Sequence, residues 1–494
     1  MARRQARFTA QDLADDPRLR DHSPELWRPD LGEVQRGLLS SAVRCFAANG
    51  FHATTTRDIA ECVGLSPAAL YVHFPSKELV LFEVIRAGHE RVLEHIRDPA
   101  IMEIEGSAER LRAIVSAYTV WHARHHVTAR VCQMELNHLT PEHHDAQFVI
   151  RLPETWNGGL VVAGAPGNRR QYANDFTISD YVLAKGYAYA STDKGNVDAG
   201  FYHDGKRPGD AILEWYRRMT EVTVAAKATV ARHYGRQPRR TYAMGISNGG
   251  QLVRWALENH PELYDGGVDS EGTYWPPDKR QRNALTYLPV ALREYPRYRD
   301  TGDEQAHAAM LKAGFAPGSE FLWEFNYTAL WDDTQRRYRE EVDPGFDGDL
   351  DAGIPYCESG TPHCDADYDY ASRPKSVHDA VKRASHSGRI GKPLLTVQGT
   401  LDTLLPIEVH GDAYADAIRK PGRGALHRYY RIEGASHLDL EYDMFPDRMR
   451  PLLPCMRSAF EALERWVDGH RQPPRSATVP RQTTGDVVNT CPLG

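Results

Sequence analysis

The chain has 494 residues, more than one ordinary hydrophobic core accommodates, so two or three domains are expected. Hydrophobic residues make up 41% of the sequence and charged residues 26%, which is typical of a globular protein. The formal net charge of -7 argues against a protein that coats nucleic acid along its whole length. A small DNA-reading module is still compatible with that charge, because such binding depends on a local surface.

Targeting signals and cysteines bear on the cellular location. No stretch approaches the roughly 18 consecutive apolar residues that a membrane span needs. The sequence starts with MARRQARFTAQDLADD, whose arginines are not followed by an apolar region, so no signal peptide and a cytoplasmic location are predicted. Cys357 and Cys364 lie close together, and Cys455 and Cys491 lie near the end. One or two disulfides would fit a secreted protein, whereas reduced thiols are favoured in the cytoplasm.

The first part of the chain has a helical pattern. Residues 1–32 are polar and charged and are predicted to form a flexible arm. From Val34 to about Asn137, apolar residues recur three to four positions apart, as on one face of a helix. The first predicted helix ends at Asn49-Gly50, where glycine supplies C-terminal cap chemistry.

A helix-turn-helix is predicted within TTRDIAECVGLSPAALYVHFPSKELV. Thr55 or Thr56 provides the N-cap of a short helix, and Gly64 stands where two helices must turn sharply. Ser66 and Pro67 supply the N-cap and first position of the second helix, which would enter a major groove. The residues expected to contact DNA are Thr56, Arg57, Ser66, Pro67, Ala68, Tyr71, His73 and Lys77. The alternative is a three-helix bundle with no DNA role.

This module resembles the tetracycline-repressor (TetR) family over about residues 33–85. The resemblance is carried by FAANGFHATTTRDIAECVGLSPAALYVHFPSKELV, with the family's aromatic residues at Tyr71 and Phe74 and its lysine at Lys77. It implies a dimer bound to double-stranded DNA, with a C-terminal helical domain for pairing and effector sensing. Only Glu109 to about Glu142 is similar to the start of such a domain, so residues 86–145 are interpreted as a truncated helical regulatory segment.

The pattern changes near residue 145, where QFVIRLPETWNGGLVVAGAPG indicates a strand, an Asn-Gly turn and a second strand. Strands and helices then alternate, which predicts βαβ units and a mostly parallel sheet over residues 146–470. Residues 275–373 break this rhythm and are interpreted as a lid inserted over the sheet. The tail, residues 471–494, is predicted to be loop-like.

A nucleophile elbow is predicted at Gly245-Ile246-Ser247-Asn248-Gly249, which fits G-x-S-x-G between a strand and a helix. Asp402 and His437 each follow a later strand, in the order serine, acid, histidine, so the three are the candidate catalytic residues. Taken singly, each of them has an incidental structural interpretation.

The oxyanion hole is expected to use the backbone N–H of Asn248 and a second donor from the loop after an early strand. Pro166 has no N–H, so Ala165, Gly167 or Asn168 is the candidate for that second donor. An ordinary tight turn is the alternative.

These segments resemble α/β-hydrolase-superfamily esterases over about residues 147–470. The resemblance is carried by LVVAGAPG, GISNGGQLVRWALENHPELYDGGVDSEG, QGTLDTLLP and GASH, and it is nearest to the tannase/feruloyl esterases and the 3-hydroxybutyrate-oligomer hydrolases. Tannase-type enzymes usually carry a cysteine beside the elbow, joined to one near the histidine. Met244 and Ile246 stand at the elbow here and no cysteine adjoins His437, a departure from the family's pattern that counts against a true tannase.

Two features of the lid have open interpretations. Its acidic residues either bind calcium or form a solvated loop, and neither run has the register of an EF-hand. Its aromatic residues either line an acyl pocket or form the core of the lid. The acidic residues are Asp343, Asp347, Asp349, Asp351, Asp365, Asp367 and Asp369; the aromatic ones are Tyr274, Trp275, Trp323, Phe325, Tyr327 and Trp331.

The function predicted from the sequence is a serine hydrolase of carboxylic esters that carries a TetR-type DNA-binding module. It acts on a small-molecule ester without a cofactor or metal, has no membrane partner and forms a homodimer if the family's pairing is retained. The alternative is a transcriptional regulator whose hydrolase-like domain senses a ligand. A third interpretation is that the junction near residue 145 joins two incomplete proteins.

Overall fold

The chain divides after residue 145 into the units Met1–Asp145 and Ala146–Gly494. The computed structural model describes residues 19, 26–28, 31–135, 147–196, 201, 207–346, 364–469, 471–482 and 484–493. The first unit is all-helical and the second is an α/β unit built on an eight-stranded sheet, so the predicted fold class is confirmed. The change of pattern near residue 145 falls outside the described residues.

The first unit is a bundle of helices. They are α1 (Glu33–Asn49), α2 (Thr56–Glu61), α3 (Pro67–His73), α4 (Lys77–Ile96), α5 (Pro99–Met102), α6 (Ser107–Arg124) and α7 (His126–Met134). The apolar face of α1 is buried against α4 and α7. Helix α1 ends where Gly50, at φ 76°, adopts a conformation that a side chain would disfavour. The predicted end of this helix is therefore confirmed.

Local capping explains the helix-turn-helix. The Thr55 side chain accepts from Asp58 N at 3.2 Å, and Asp58 in return accepts from Thr55 N at 2.7 Å, so α2 begins in a capping box. Gly64, at φ 71°, turns the chain, and the Ser66 side chain accepts from Ala69 N at the start of α3. These are the predicted cap residues, and Thr55 is the cap of the two threonines considered.

Part of the predicted arm belongs to the helical core. Leu26 and Trp27 are only 1% and 3% exposed, and they pack with residues of the bundle. Trp27 Nε1 donates to Ser40 Oγ at 2.6 Å, and Arg91 Nε donates to the Leu26 carbonyl at 3.2 Å. The prediction of a flexible arm does not hold for these two residues, because their apolar side chains are buried against distant helices. Most of residues 1–32 lies outside the described part of the chain.

Helix α6 presents an apolar face to solvent. Leu111, Val115 and Tyr118 are 60%, 54% and 44% exposed, whereas Trp121 near the end of the same helix is buried. These three positions are spaced as neighbours along one face of a helix. Among the described residues of this unit, no helix covers this face.

The second unit contains a mostly parallel sheet in the order β1-β3-β2-β4-β5-β6-β7-β8. Among the described strands, β1 alone runs antiparallel to its neighbour, β3. The strands are β1 (Phe148–Arg151), β2 (Gly159–Gly164), β3 (Ala188–Thr192), β4 (Arg240–Ile246), β5 (Gly266–Ser270), β6 (Leu394–Gly399), β7 (His427–Ile432) and β8 (Ala477–Val479). The central strands β2 to β6 are almost wholly buried, as expected for parallel strands covered on both faces.

Helices cover both faces of this sheet, so two apolar cores form. One core includes Val162, Ala190 and Trp215, and the other includes Val161, Met244 and Phe460. The helices are α8 (Asp180–Ala184), α9 (Asp210–Tyr234), α10 (Asn248–Asn259), α11 (Ala284–Thr301), α12 (Glu304–Ala313), α13 (Trp323–Asn326), α14 (Asp332–Val342), α15 (Lys375–Arg383), α16 (Ala413–Arg419), α17 (Asp439–Met444) and α18 (Leu453–Gly469). No helix among the described residues is long and apolar enough to cross a membrane.

The chain between β5 and β6 carries helices α11 to α15 and corresponds to the predicted inserted lid. Trp275, Trp323 and Trp331 are at most 1% exposed and belong to the core beneath these helices. Of the two interpretations of the lid aromatics, the structure therefore supports a core role for these residues.

The acidic residues of the lid that are described make ion pairs and caps. Both carboxylate oxygens of Asp365 accept from Arg339, at 3.0 and 2.9 Å. Asp343 accepts from Arg373 and from the Tyr368 hydroxyl. Because arginine cations already neutralise Asp343 and Asp365, these two residues are neither a calcium site nor a solvated loop. Residues Asp347, Asp349 and Asp351 lie outside the described part of the chain.

The tail contains regular structure and a disulfide, contrary to expectation. Strand β8 extends the sheet beside β7, and Cys491 is bonded to Cys455 in α18. Cys364 is also disulfide-bonded, so the preference for reduced thiols is wrong for these cysteines. A segment as short as β8, with three residues, carries no recognisable strand pattern in the sequence. Its strand conformation comes from the pairing with β7.

Candidate active site

The predicted nucleophile stands at a strained turn between β4 and α10. Ser247 has φ 57° and ψ -123°, a conformation rare for residues other than glycine. A Cβ on Gly245 would lie 2.2 Å from the Gly249 carbonyl carbon, and one on Gly249 would lie 2.6 Å from the Gly164 carbonyl oxygen. The two glycines therefore let strand and helix approach closely enough to make the turn.

Three residues with strained backbone conformations lie at one edge of the sheet. Among the described residues, the non-glycine residues with positive φ are Lys194, Ser247 and Glu271. They follow the carboxyl ends of β3, β4 and β5, which neighbouring parallel strands bring to the same edge. Strain of this kind persists only where surrounding contacts impose it, and it concentrates at functional sites.

The candidate acid and histidine meet at this edge. Asp402 follows β6 and accepts hydrogen bonds from Leu404 N, Leu405 N and Gln398 Nε2. His437 follows β7, and its Nδ1 lies 3.0 Å from Asp402 Oδ2. The pair is buried, which strengthens the interaction of the carboxylate with the imidazole.

The carboxylate also sets the protonation of the histidine. Burial alone would lower the pKa of His437, but the neighbouring Asp402 outweighs it and raises that pKa above the ordinary value. The bond to Nδ1 leaves Nε2 for a reacting group.

The serine and histidine share a cavity of about 930 Å³. Ser247 is 9% exposed, and within the described residues its Oγ forms no hydrogen bond with His437. Catalytic hydrogen bonds of this type are often long before a substrate binds. The cavity is lined by the loop after β2, by Ser247, Glu271 and His437, by lid residues such as Leu330, and by the start of α18.

A second carboxyl group, which the sequence did not single out, lies beside His437. Glu271 is fully buried, and its Oε2 is 3.7 Å from His437 Nδ1. Burial, together with the nearby charge of Asp402, raises the pKa of Glu271 well above its ordinary value. That Oε2 has no hydrogen-bond partner in the part of the chain that is described. A protonated, neutral Glu271 is therefore favoured at this position.

Atoms of Glu271, Asp402 and His437 lie within 4.8 Å of one another, a set that could bind a divalent cation. The hydrogen bond between Asp402 and His437 already uses two of these groups. No metal ion is needed to explain their arrangement.

The loop after β2 narrows the choice of the second oxyanion donor. Ala165 N donates to the Thr192 carbonyl at 3.0 Å, so its N–H extends the sheet and is not available as the second oxyanion donor. The prediction is therefore wrong for Ala165. Gly167 and Asn168 both line the cavity. At the elbow, Asn248 begins α10, where the first backbone N–H groups lack partners within the helix.

A buried lysine, Lys194, forms hydrogen bonds with backbone carbonyls of the loop after β2. Lys194 Nζ donates to the carbonyl oxygens of Ala165 and Gly167, at 2.5 and 2.6 Å, and lies 4.9 Å from the centre of the Trp215 ring. Because a trans peptide places C=O and N–H on opposite sides, anchoring the Gly167 carbonyl turns the Asn168 N–H away from the lysine. Burial lowers the pKa of Lys194 to about 7. Lys194 thus fixes the orientation of the loop.

Glu271 and Lys194 had a signal in the sequence. Each is a charged residue that follows a buried strand, in VDSEG and in ASTDK, and such positions meet at one sheet edge. The sequence does not show which of the many acidic and basic residues is buried there.

The predicted DNA-contacting residues are only partly presented to solvent. Arg57 and Tyr71 are exposed, and the Tyr71 hydroxyl lies 3.3 Å from Thr56 Oγ1. Ser66 is exposed, Pro67 and His73 are half-buried, and nothing is described for the side chain of Ala68. Lys77 Nζ donates to the carbonyls of Phe51 and Thr54 and so stabilises the module, while its predicted contact with a phosphate stays a prediction.

Three protein-family models match the chain. "Bacterial regulatory proteins, tetR family" matches residues 38–84, "Tetracyclin repressor-like, C-terminal domain" matches 105–150, and "Tannase and feruloyl esterase" matches 130–273. The chain joins a TetR-type domain to a tannase-type domain. The tannase match includes Ser247 and Glu271 and ends before Asp402 and His437.

Curated relatives match the two domains separately. The tannase-type domain is similar to a mono(2-hydroxyethyl) terephthalate hydrolase of Piscinibacter sakaiensis, 31% identical over 161 residues, which are 30% of this chain and 27% of the relative. The TetR-type domain is similar to the repressor KstR2 of Rhodococcus jostii, 29% identical over 136 residues, which are 27% of this chain and 66% of the relative. The chain thus spans less than two thirds of either relative.

Solved structures also resemble one domain or the other. Feruloyl esterase B from Aspergillus oryzae aligns with a TM-score of 0.43 at 13% identity, over 67% of this chain and 79% of that one. A tetR-family regulatory protein from Rhodococcus RHA1 aligns with a TM-score of 0.22 at 39% identity, over 23% of this chain and 59% of that one.

Proposed function

We propose that the tannase-type domain hydrolyses carboxylic esters with Ser247 as nucleophile. His437 takes the serine proton through Nε2 and later returns it to the leaving alcohol, while Asp402 holds the imidazole and stabilises its protonated form. A water then repeats the attack on the acyl-serine. The observation that carries the proposal is the 3.0 Å contact between His437 and Asp402 at a cavity that also contains the strained Ser247.

The oxyanion of the tetrahedral intermediate would accept from backbone donors on two loops. Asn248 N–H at the start of α10 is one donor, supported by the helix dipole. Gly167 N–H or Asn168 N–H is the other, on the loop that Lys194 anchors. Removing one such donor typically lowers turnover by about 10²–10³.

A small-molecule ester fits the cavity. Its volume of about 930 Å³ is in the range of ligand sites, and Leu330, Leu404 and Met456 form apolar wall around the catalytic groups. The name of the 31%-identical relative gives its substrate as mono(2-hydroxyethyl) terephthalate, an aromatic monoester. We therefore infer that monoesters of aromatic acids are the first substrates to test.

A fluorophosphonate probe tests the mechanism directly. Purified full-length protein should be labelled at Ser247, as located by peptide mass spectrometry, and Ser247→Ala and His437→Ala should abolish labelling. Ser270→Ala is the matched control, because Ser270 lines the same cavity and lies outside the proposed triad. A folded protein that is not labelled, or that is labelled at Ser270, would overturn the proposal.

We propose a second function for the TetR-type domain, sequence-specific binding of double-stranded DNA by a ligand-responsive homodimer in the cytoplasm. The observation that favours it is helix α3, where Tyr71 and Val72 are 52% and 80% exposed after a well-capped turn. Genomic fragments selected by the full-length protein, compared with random duplexes in the presence and absence of an ester, provide the test. Equal binding to both DNA pools would exclude this function, and light scattering reports the oligomeric state.

A further inference from the structure

Two cysteine thiols face each other inside the TetR-type domain. Cys45 lies in the buried face of α1, and Cys62 is the residue directly after α2. Their sulfur atoms are 3.8 Å apart, although 17 positions separate them in the sequence. Neither belongs to a disulfide in this structure. The contact therefore joins two helices through a pair of reduced sulfurs.

The two sulfurs differ in access and in acidity. Cys45 is fully buried, whereas Cys62 is partly exposed. The hydrogen bond from Cys45 lowers the pKa of Cys62 to about 7 against the effect of burial, and Ser41 and Arg44 act in the same direction. The same contact raises the pKa of Cys45. Cys62 is thus the accessible thiolate, and Cys45 is the neighbouring thiol.

We propose that Cys45 and Cys62 form a thiol redox site that hydrogen peroxide converts to an intradomain disulfide. The Cys62 thiolate attacks one peroxide oxygen, which breaks the O–O bond and gives a sulfenic acid and, after protonation, water. Cys45 sulfur then attacks the Cys62 sulfur, the S–OH bond breaks, and the hydroxide leaves as a second water with the Cys45 proton. Two thiols lose two electrons, and one peroxide is reduced to two waters.

Disulfide formation must move the backbone near the helix-turn-helix. The sulfurs have to approach from 3.8 Å to about 2.05 Å. Cys45 lies within a 17-residue helix, whereas Cys62 begins the turn that passes through Gly64 to α3. The backbone at Cys62 is therefore expected to move more than the backbone at Cys45. That turn is held by backbone bonds from Val63 and Leu65 to Ala60. Oxidation therefore acts on the segment that orients α3.

Cys132 provides a matched control in the same unit. It is buried, and its Sγ is 3.9 Å from the backbone carbonyl oxygen of Val84. Because a buried thiol is poorly accessible to an oxidant, Cys132 is expected to oxidise slowly.

The test uses reduced full-length protein exposed to one equivalent of hydrogen peroxide at pH 7, followed by non-reducing digestion and mass spectrometry. The expected product is a crosslinked peptide pair that contains Cys45 and Cys62, with Cys132 still alkylated. Cys132→Ser should give the same crosslink. In Cys45→Ser, the second step lacks its sulfur nucleophile, so the oxidation of Cys62 should end at a sulfenic acid that dimedone traps.

Two results would overturn the proposal. One is a wild-type protein in which Cys62 accumulates as sulfenic or sulfinic acid without the crosslink. The other is equal oxidation of Cys62 and Cys132. Circular dichroism of each variant before oxidation shows whether the helices are intact, so that a folding defect is distinguished from a missing reaction.

Discussion

Glu271 holds a carboxyl oxygen 3.7 Å from Nδ1 of His437, the same ring nitrogen that lies 3.0 Å from Asp402. Two ionised carboxylates at one buried imidazole would repel each other. Burial and this repulsion raise the pKa of Glu271, which favours its protonated form. A neutral Glu271 then lies beside the hydrogen-bonded pair of Asp402 and His437.

Replacing Glu271 with glutamine should change how stability depends on pH. The pKa of Glu271 is raised in the folded protein, so the folded state keeps a proton that the unfolded state releases above its ordinary pKa. The wild type therefore loses stability as pH rises, by at most about 1.4 kcal/mol per pH unit from this group, and Glu271→Gln removes that loss. Denaturation midpoints of both proteins between pH 5 and 9 measure the difference.

The stability of Glu271→Gln relative to the wild type should increase toward high pH. Glu304→Gln is the control, since Glu304 is exposed at the start of α12. Parallel curves for Glu271→Gln and the wild type would contradict a buried neutral acid.

Replacing Asp402 with asparagine should lower kcat by about 10⁴, because the imidazole loses the carboxylate that fixes its tautomer. Asp402 also raises the pKa of His437, so the acid limb of the kcat/KM profile should move to lower pH in the variant. A loss of tenfold or less would contradict the role of Asp402. The double variant with Glu271→Gln then shows whether Glu271 supplies residual activity.

Replacing Lys194 with methionine should lower kcat by about 10–100-fold and leave KM nearly unchanged. The ammonium anchors two carbonyls of the loop with the second oxyanion donor, and the full loss of a donor sets the limit at about 10²–10³. Binding of a boronic acid, which mimics the tetrahedral intermediate, should weaken in parallel with kcat.

Lys227→Met is the matched control for this experiment. Lys227 Nζ also donates to a backbone carbonyl, that of Leu263, and neither residue lines the cavity. Equal effects of the two variants on kcat would mean that Lys194 only stabilises the fold.

Removing the Cys455–Cys491 disulfide should destabilise the tannase-type domain. The bond closes a loop with a sequence separation of 36, for which chain entropy predicts about 4 kcal/mol. Cys455→Ser, Cys491→Ser and the double variant should have similar urea midpoints, because each removes the same crosslink. A double variant much less stable than both single variants would show that packing of the sulfurs, and not the crosslink, dominates.

Features that depend on neighbouring residues can be predicted from the sequence alone. Thr55, Ser66 and Gly64 define two helix starts and a turn through short-range hydrogen bonds and backbone conformation. The glycines around Ser247 likewise report a tight strand-to-helix turn. Alternating strands and helices indicated a parallel sheet because each element has its own hydrophobic period.

Which distant residues meet depends on the packing of the whole domain. Burial next to Asp402 makes Glu271 a neutral acid, and the approach of β3 to the loop after β2 gives Lys194 its two carbonyl partners. The order of β8 and the burial of Trp27 also come from long-range packing. These contacts join residues far apart in the chain, so a local pattern in the sequence does not show which residues they bring together.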